Sequence, residues 1–364
     1  MAYTTIDNPI LYFSTNLWVA DDASSRALTG FGHTPALVWT KHRGSGATYL
    51  TMTDSVRGGD KNLSTPVNAA ESAGSHGIIS VFGSDGITVV DGTNSTYPRL
   101  TYNELDPFGA SVGGNYVGWS WSTGTSFTND ASSTGVGTID STGSASDTGG
   151  FSIVSYTGTG SNGTIKHGLS SAPSMIIFKT RVTGNWLVYH QGIGNTHGVF
   201  LNTTSAKDDD ATYFQDTNPT SSVFSIGTST LVNDTNTYIA YCFAEKKGYS
   251  KFGSYTGNGD ADGAFIHTGF KPAFVIFKRT SGTGNWQLID NKRIGFNVDN
   301  YTLYPNSSLA DQDENDADIL SNGFKLRGSG TDGNGSGSTY IYMAFAEEPL
   351  VANVGTNGVP ATAR

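Results

Sequence analysis

One segment typical of a β-strand occurs three times along the chain, and this repetition constrains the fold more than any other feature. The copies span residues 116–122, 238–245 and 340–347. Each begins with a tyrosine and then alternates bulky and small side chains. Because successive side chains of a strand point to opposite faces, each copy has one bulky face and one face of small residues after the tyrosine. The bulky faces consist of Val117, Trp119 and Trp121, of Ile239, Tyr241 and Phe243, and of Ile341, Met343 and Phe345.

Strands with these two faces are predicted to lie inside sheets, where the bulky face fills a core and the small face lets a second layer approach closely. Their β-branched and aromatic content favours strands over short buried helices. The small face of the second copy contains Cys242, the only cysteine of the chain. We predict that this thiol is a buried apolar filler, and a single cysteine excludes an intramolecular disulfide.

The composition indicates an all-β protein. Glycine supplies 47 of the 364 residues, and charged residues make up only 14%. Many short strands joined by Gly, Asn, Ser and Asp turns explain this profile. The formal net charge of −10 gives an acidic surface that repels phosphate groups, so we expect no nucleic-acid partner. No apolar stretch reaches transmembrane length and no signal peptide is visible, so we expect no membrane insertion.

The repetition extends upstream of the three strand copies. A phenylalanine opens each repeat and a proline precedes its next apolar run. The interval between these two residues is 22 positions in the first and second repeats and 20 positions in the third. The phenylalanines are Phe13, Phe151 and Phe252, and the prolines are Pro35, Pro173 and Pro272.

This pattern predicts three tandem antiparallel β-sandwiches, of either jelly-roll or concanavalin-like type. The first sandwich has extra length near residues 62–71 and 94–108, and such loops often differ in purpose between copies. The C-terminal arm has too little apolar content to form an element of its own. The predicted divisions are a divergent first sandwich at 1–122, a Ser/Thr/Gly-rich linker at 123–150, a second sandwich at 151–247, a third at 248–348 and the arm at 349–364.

Two tryptophans are candidates for glycan binding. Trp186 and Trp286 each follow a Thr-Gly-Asn turn in the second and third repeats. An exposed indole would stack on the apolar face of a sugar ring. A buried indole would instead start a strand and pack beneath the turn. The repeated position favours the structural interpretation and leaves the glycan-binding one open.

Acidic runs supply the candidates for calcium binding, because Ca²⁺ prefers carboxylate oxygens. The candidates are Asp260, Asp262, Asp311 and Asp313. The run that contains Asp311 and Asp313 lacks the glycine at the sixth position of a calcium loop, and the run at 260–263 is closer to that pattern but truncated. Solvated acidic loops are therefore the simpler interpretation. The sequence contains no nucleophile elbow, no phosphate-binding glycine loop and no paired-cysteine metal motif. We therefore expect no catalytic residue, no cofactor and no enzymatic activity.

Four segments carry a resemblance to known proteins. Residues 269–278, 320–327, 340–351 and 360–364 resemble repeat-bearing, tail-fibre-like virion proteins of marine tailed bacteriophages, of cyanophage or pelagiphage type. The resemblance extends over residues 150–364, and only the skeleton of residues 1–122 matches. It implies a protein of the particle surface that is made in the host cytoplasm and has other virion proteins as partners. It supplies no catalytic residues.

Three functions are therefore expected. The first is a non-enzymatic virion structural protein that contacts host surface glycans through its sandwich loops. The second is a capsid decoration, head-knob or head-fibre protein, because the chain has no coiled-coil heptads or shaft repeats. The third is a glycan-degrading enzyme on a sandwich scaffold. A homotrimer is compatible with a fibre-like part, but no sequence feature demands it.

Overall fold

The computed structural model describes residues 4–44, 48–105, 113–293, 297, 301–314, 316–354 and 357–360. The fold is an all-β sandwich, as predicted, and the named strand pairs are antiparallel. None of the helices in these residues is long and apolar enough to span a membrane. The helical elements given by the described residues are the α-helices α1 (Ala131–Thr134) and α2 (Ala211–Phe214) and the 3-10 turns Pro9–Leu11 and Gln191–Ile193.

Unit one has an inner sheet of five strands, in the order β1-β8-β3-β4-β5, and an outer sheet in the order β2-β7-β6. Its strands are β1 (Phe13–Val19), β2 (Ser25–Thr29), β3 (Leu37–His42), β4 (Thr51–Asp54), β5 (Asn62–Ser64), β6 (Ile78–Gly83), β7 (Gly86–Val90) and β8 (Asn115–Trp121).

Unit two has an inner sheet of eight strands, in the order β16-β15-β14-β13-β18-β11-β10-β9, and the outer pair β12-β17. Its strands are β9 (Thr125–Asn129), β10 (Ser141–Ser146), β11 (Phe151–Thr157), β12 (Gly163–Lys166), β13 (Met175–Thr180), β14 (Leu187–His190), β15 (His197–Phe200), β16 (Asp208–Asp209), β17 (Val223–Ile226) and β18 (Thr237–Phe243).

Unit three has an inner sheet in the order β19-β27-β21-β22 and an outer sheet in the order β20-β26-β25. Two further pairs are β23-β24 and the C-terminal hairpin β28-β29. The strands are β19 (Ser250–Thr256), β20 (Phe265–His267), β21 (Phe270–Arg279), β22 (Trp286–Asp290), β23 (Tyr301–Thr302), β24 (Gln312–Asp313), β25 (Ala317–Leu320), β26 (Gly323–Leu326), β27 (Thr339–Pro349), β28 (Val351–Val354) and β29 (Asn357–Pro360).

Two expectations about connecting segments were wrong. Residues 123–150 are not a linker, because β9 and β10 lie within them and extend the inner sheet of unit two. Their small side chains suit this position, since a Cβ atom at Gly143 would lie 2.1 Å from the Ile153 carbonyl oxygen. The C-terminal arm does form an element, the hairpin of β28 and β29. The arm has few apolar side chains, which is why no element was expected there. A two-stranded hairpin forms through backbone hydrogen bonds and does not require them.

The strands β9 and β10 before unit two and the hairpin β28-β29 after unit three are additions to a common pattern. Without them, the strand order first–last–third–fourth occurs in all three inner sheets, and the second strand of each unit pairs with the next to last. The register explains the unequal intervals in the sequence. Phe13 lies opposite Trp121 and Phe151 opposite Phe243, but Ser250 rather than Phe252 lies opposite Phe345. Counted from Ser250, the third interval is also 22 positions (250 to 272).

The bulky faces of the three last strands, β8, β18 and β27, meet in one common core. Trp121, Phe243 and Phe345 occupy the same register position in the three units and form a triangle of rings. The ring centroids lie 5.6, 6.0 and 6.0 Å apart. The units are therefore not independent domains in a row, because each one covers the bulky faces of the other two.

The small faces pack against the outer layers, as predicted. Cys242 is fully buried on such a face. The tyrosine that opens each last strand stacks on an aromatic ring of the first strand, and its hydroxyl donates to a backbone carbonyl of the preceding loop. The stacked pairs are Tyr116 with Trp18, Tyr238 with Tyr156 and Tyr340 with Tyr255, and the carbonyls belong to Leu100, Thr230 and Thr331.

One backbone hydrogen bond recurs at each of the three junctions between units. Each is donated by the amide of a residue that follows the fourth strand and is accepted by the carbonyl at the end of a neighbouring third strand. The donors and acceptors are Glu71 and Arg181 at 2.9 Å, Lys207 and Thr280 at 3.1 Å, and Asp311 and Arg43 at 2.9 Å. The series joins one to two, two to three and three to one, so the units close into a ring.

Candidate functional site

A buried carboxylate marks the junction of units one and two. Asp54 ends β4, and its Oδ2 atom accepts hydrogen bonds from the Tyr241 hydroxyl at 2.8 Å and from Arg57 Nε at 2.6 Å. The side chains of Asp54 and Arg57 are fully buried. Burial lowers the pKa of Arg57, but the surrounding Asp54, Tyr241 and Glu71 groups outweigh burial and raise it overall. Arg57 therefore stays protonated, and Tyr241 of unit two adds a hydrogen bond to the Asp54 carboxylate.

The same arrangement recurs where unit one meets unit three. Asp290 ends β22 at the register position of Asp54. Its Oδ2 atom accepts hydrogen bonds from Trp119 Nε1 at 3.1 Å and from Arg293 Nε at 2.7 Å. The Trp119 indole of unit one thus takes the role that the Tyr241 hydroxyl has at the first junction.

The junction of units two and three uses neutral groups instead. His190 occupies the register position of the two aspartates, and its Nε2 atom lies 3.0 Å from the Tyr342 carbonyl oxygen. Burial lowers the pKa of His190 to about 4, so the ring is neutral near pH 7. Met343, which offers no donor, stands where the other units have Tyr241 and Trp119. The side chains of Asp54, Asp290 and His190 are all buried at contacts between units. They therefore hold the units together and are not accessible to a ligand.

The structure contradicts glycan binding by the two predicted tryptophans. Trp186 and Trp286 are 0% and 1% exposed, so neither ring can stack on a sugar. Trp186 Nε1 donates to the carbonyl oxygens of Ser64 and Val67 in unit one, both at 3.2 Å. Trp286 Nε1 donates to the Phe200 carbonyl oxygen of unit two at 2.8 Å. The structural interpretation is confirmed, and both indoles fasten one unit to the next.

The predicted calcium ligands do not converge. Asp311 forms ion pairs with Arg43 at 2.6 Å and with Arg293 at 3.0 Å, so both of its carboxylate oxygens are taken. The Asp260 carboxylate accepts a hydrogen bond from the Asp262 backbone amide, and the Asp262 carboxylate forms an ion pair with Lys325. The Asp313 side chain is exposed in β24. Within the described residues, no three His, Cys, Asp or Glu side chains come together to hold a metal ion.

A polar cavity of about 310 Å³ opens on unit one. Its floor is formed by β4 and β5, and its walls are the segments that lead into β4, out of β5 and towards β8. Asn62 and Ser64 lie in one of the length insertions of this unit, and Leu100 and Thr101 lie in the other. The two insertions that distinguish unit one therefore meet at a single cavity.

Hydrogen bonds fix the floor of this cavity. The Asn62 amide nitrogen donates to the Gly77 carbonyl oxygen at 2.9 Å, and its oxygen accepts from the Thr53 hydroxyl at 2.5 Å. The Tyr102 hydroxyl donates to the same oxygen at 3.3 Å. Ser72 pairs with the Asn62 backbone in an isolated antiparallel bridge. The loops are thus tied to the sheet, and the cavity is formed in advance of any ligand.

Several polar groups around the cavity lack a protein partner. Among the described residues, no hydrogen bond reaches the Tyr49 hydroxyl, Ser64 Oγ, His76 Nε2 or Thr101 Oγ1. The Tyr49 side chain is 46% exposed and presents an aromatic ring at the rim. Burial lowers the pKa of His76, which favours its neutral form. None of the described lining residues is a carboxylate, so the cavity suits a neutral ligand with many hydroxyl groups.

Sequence reasoning located the insertions but missed the lining residues. Tyr49 and His76 belong to no motif, and neither stands in a repeated position. The useful signal was the extra length of the first repeat, because a loop that one copy alone possesses does not serve the shared scaffold.

Comparison with known proteins identifies the family and no function. A domain family described as a domain of unknown function, DUF7483, matches residues 8–349. No curated protein matches the chain, and no solved structure matches it. The match covers β1 to β27, which is every strand except the two of the C-terminal hairpin, so the chain belongs to the DUF7483 family.

Proposed function

We propose that the protein is a non-enzymatic structural protein of a tailed-bacteriophage particle, exposed on the particle surface, and that it binds neutral host glycans in the cavity of unit one. The cavity replaces the two tryptophans as the expected place of glycan contact. The resemblance to tail-fibre-like virion proteins supports the location, and the chemistry of the cavity supports the ligand class.

The observation that carries this proposal is the set of unpartnered polar groups beside an exposed aromatic ring. Sugar hydroxyls both donate and accept hydrogen bonds, which suits the Ser64 and Thr101 hydroxyls and the neutral His76 ring. The Tyr49 ring offers an apolar surface to the C–H face of a sugar. A rigid floor limits the entropy that binding would cost. These features support binding rather than hydrolysis, for which paired carboxylates would be expected near the ligand.

Glycan-array binding with the full chain and two matched variants tests the proposal. Tyr49→Ala removes the aromatic ring at the cavity, and Phe265→Ala removes a ring of equal exposure, 46%, from unit three. We expect Tyr49→Ala to weaken binding by roughly tenfold, which corresponds to about 1.4 kcal/mol. Phe265→Ala should leave binding unchanged.

Three results would overturn the proposal. If the full chain binds no glycan, glycans are not its ligands. If Tyr49→Ala and Phe265→Ala lose the same amount of glycan affinity, the cavity is not the binding site. Shortening of a bound polysaccharide would replace binding by glycan degradation, the enzymatic alternative.

A second location on the particle is favoured by the shape of the chain. Three units closed around one axis form a compact body, and none of the described elements forms a shaft. This compactness favours a capsid decoration or head-knob protein over a long fibre. Antibody labelling of intact particles distinguishes the two, because label at the head supports decoration and label at the tail supports the fibre-like role. A homotrimer stays a prediction, to be tested by the mass of the protein in solution.

A further inference from the structure

The first strands of the three units differ in how their outer edges are covered. Within the described residues, β1 pairs only with β8 and β19 pairs only with β27. In unit two, β10 pairs on this side with Phe151 to Tyr156, which is all of β11 except its last residue. An open strand edge leaves backbone N–H and C=O groups available to another strand.

Side chains cover part of the edge of β19. Gln191 Nε2 donates to the Phe252 carbonyl oxygen at 2.6 Å, and the Phe252 amide donates to a Glu245 carboxylate oxygen at 3.4 Å. The Phe252 ring itself packs against His190 at 6.4 Å and Phe345 at 6.1 Å. The edge of unit three is therefore occupied where it faces unit two.

The equivalent position on β1 has unsatisfied polar groups. Thr15 stands at the register position of Phe252, since it lies opposite Trp119 as Phe252 lies opposite Met343. Asn291 follows β22 as Gln191 follows β14, and its side chain is one methylene shorter. The Thr15 hydroxyl and both polar atoms of the Asn291 amide are buried without a hydrogen-bond partner, and each residue is only 7% exposed. A buried polar group without a partner destabilises the folded state, so a segment that supplies partners here is favoured.

These two side chains line a groove of about 340 Å³ along the edge of β1. Ile10 and Leu17, each 42% exposed, form apolar parts of its lining. Ala346, near the end of β27, also lines it, and the C-terminal hairpin begins five residues further on, at Val351. Five residues of extended chain span about 17 Å, so the hairpin begins within reach of the groove.

We propose that this C-terminal hairpin adds to the open edge of β1 in the same chain, with β29 as the strand that pairs antiparallel to β1. The backbone of β29 then supplies partners for the Thr15 hydroxyl and the Asn291 amide. Strand addition to an open edge is a common mode of recognition, and it also protects the edge from pairing with foreign chains.

The arrangement of β9 and β10 shows how such a hairpin fits the ring. They follow the last strand of unit one, and β10 covers the first strand of unit two. The C-terminal hairpin follows the last strand of unit three, whose neighbour across the core is β1: the Phe345 and Phe13 rings stack at 5.1 Å. In this comparison β28 corresponds to β9 and β29 to β10. If β29 pairs with β1 as β10 pairs with β11, the first strand is covered in unit one as it is in unit two.

Disulfide trapping in the full chain tests this proposal, since the native Cys242 is fully buried and will not compete. Leu17→Cys is combined in turn with Asn357→Cys, Gly358→Cys and Val359→Cys, which samples the register of β29. Ser254→Cys with the same three partners is the matched control, because Ser254 stands on β19 at the position of Leu17. Mild oxidation is followed by non-reducing electrophoresis and peptide mapping.

We expect at least one Leu17→Cys pair to form an intramolecular bond and no Ser254→Cys pair to do so. A bond that links two chains would overturn the proposal, because the occupant would then be a second copy. Absence of any bond to position 17 would also overturn it. Hydrogen exchange gives an independent readout: removal of residues 350–364 should speed amide exchange in β1 at least tenfold and leave β19 unchanged. Equal exchange in β1 with and without these residues would contradict the docking.

Discussion

Replacement of Tyr241 by phenylalanine removes one hydroxyl from the junction of units one and two and leaves the ring in the common core. The hydroxyl donates to the Asp54 carboxylate at 2.8 Å and accepts from Arg57 Nη2 at 3.3 Å, and all three residues are buried. A hydrogen bond to a charged group contributes about 1.5–3 kcal/mol. Asp54 keeps its bonds to Arg57 in the variant, so we expect the free energy of unfolding to fall by about 2 kcal/mol.

Tyr156→Phe is the matched control. The Tyr156 hydroxyl is also buried, but it donates to a neutral acceptor, the Val232 carbonyl oxygen at 2.8 Å. Such a bond contributes about 1 kcal/mol. Urea denaturation followed by circular dichroism compares the two variants with the parent chain. If Tyr241→Phe costs no more than Tyr156→Phe, the charged pair does not couple the units and the reasoning is refuted.

Three further predictions concern the core, the pH dependence and calcium. Phe345→Ala should lower the unfolding free energy by about 3–5 kcal/mol, because the cavity opens where all three units meet; denaturant titration measures this, and a loss below about 1 kcal/mol contradicts it. Burial lowers the pKa of His190 from 6.5 to about 4, so the unfolded chain binds a proton that the folded chain excludes. The contribution of His190 to stability is complete above pH 6.5 and is lost, by on the order of 3 kcal/mol, as the pH falls towards 4. His190→Gln should therefore make the fall in stability with pH less steep, and an unchanged slope contradicts the assignment. Removal of calcium by a chelator should leave the melting temperature unchanged. A lower melting temperature would indicate that the acidic loops bind calcium after all.

The sequence was sufficient to predict the strands and their faces. The alternation in β8, β18 and β27 identified the bulky residues that the structure buries, including Trp121, Phe243 and Phe345. The small face and the buried Cys242 followed from the same alternation. These features depend on local geometry, since a strand has only two faces and its pattern of side chains assigns them.

What covers each face could not be predicted in the same way. A bulky face indicates burial, but the pattern is equally compatible with a separate core in each unit and with one core shared by the three units. The burial of Trp186 and Trp286 follows from the shared arrangement, since their partners Ser64 and Phe200 belong to other units. Composition misled at residues 123–150, where small residues pair in a sheet through their backbone. The polar cavity depends on how two distant insertions meet, which no spacing in the sequence encodes.

The central claim is that one chain closes three sandwiches around a common core, so that no unit is stable without the other two. Native-state hydrogen exchange in rising denaturant tests it most directly, through the amides of β8, β18 and β27. We predict that the three strands open together, with the same free energy and the same dependence on denaturant. Three separate opening free energies, each with a shallow dependence on denaturant, would contradict the account and restore a row of independent domains.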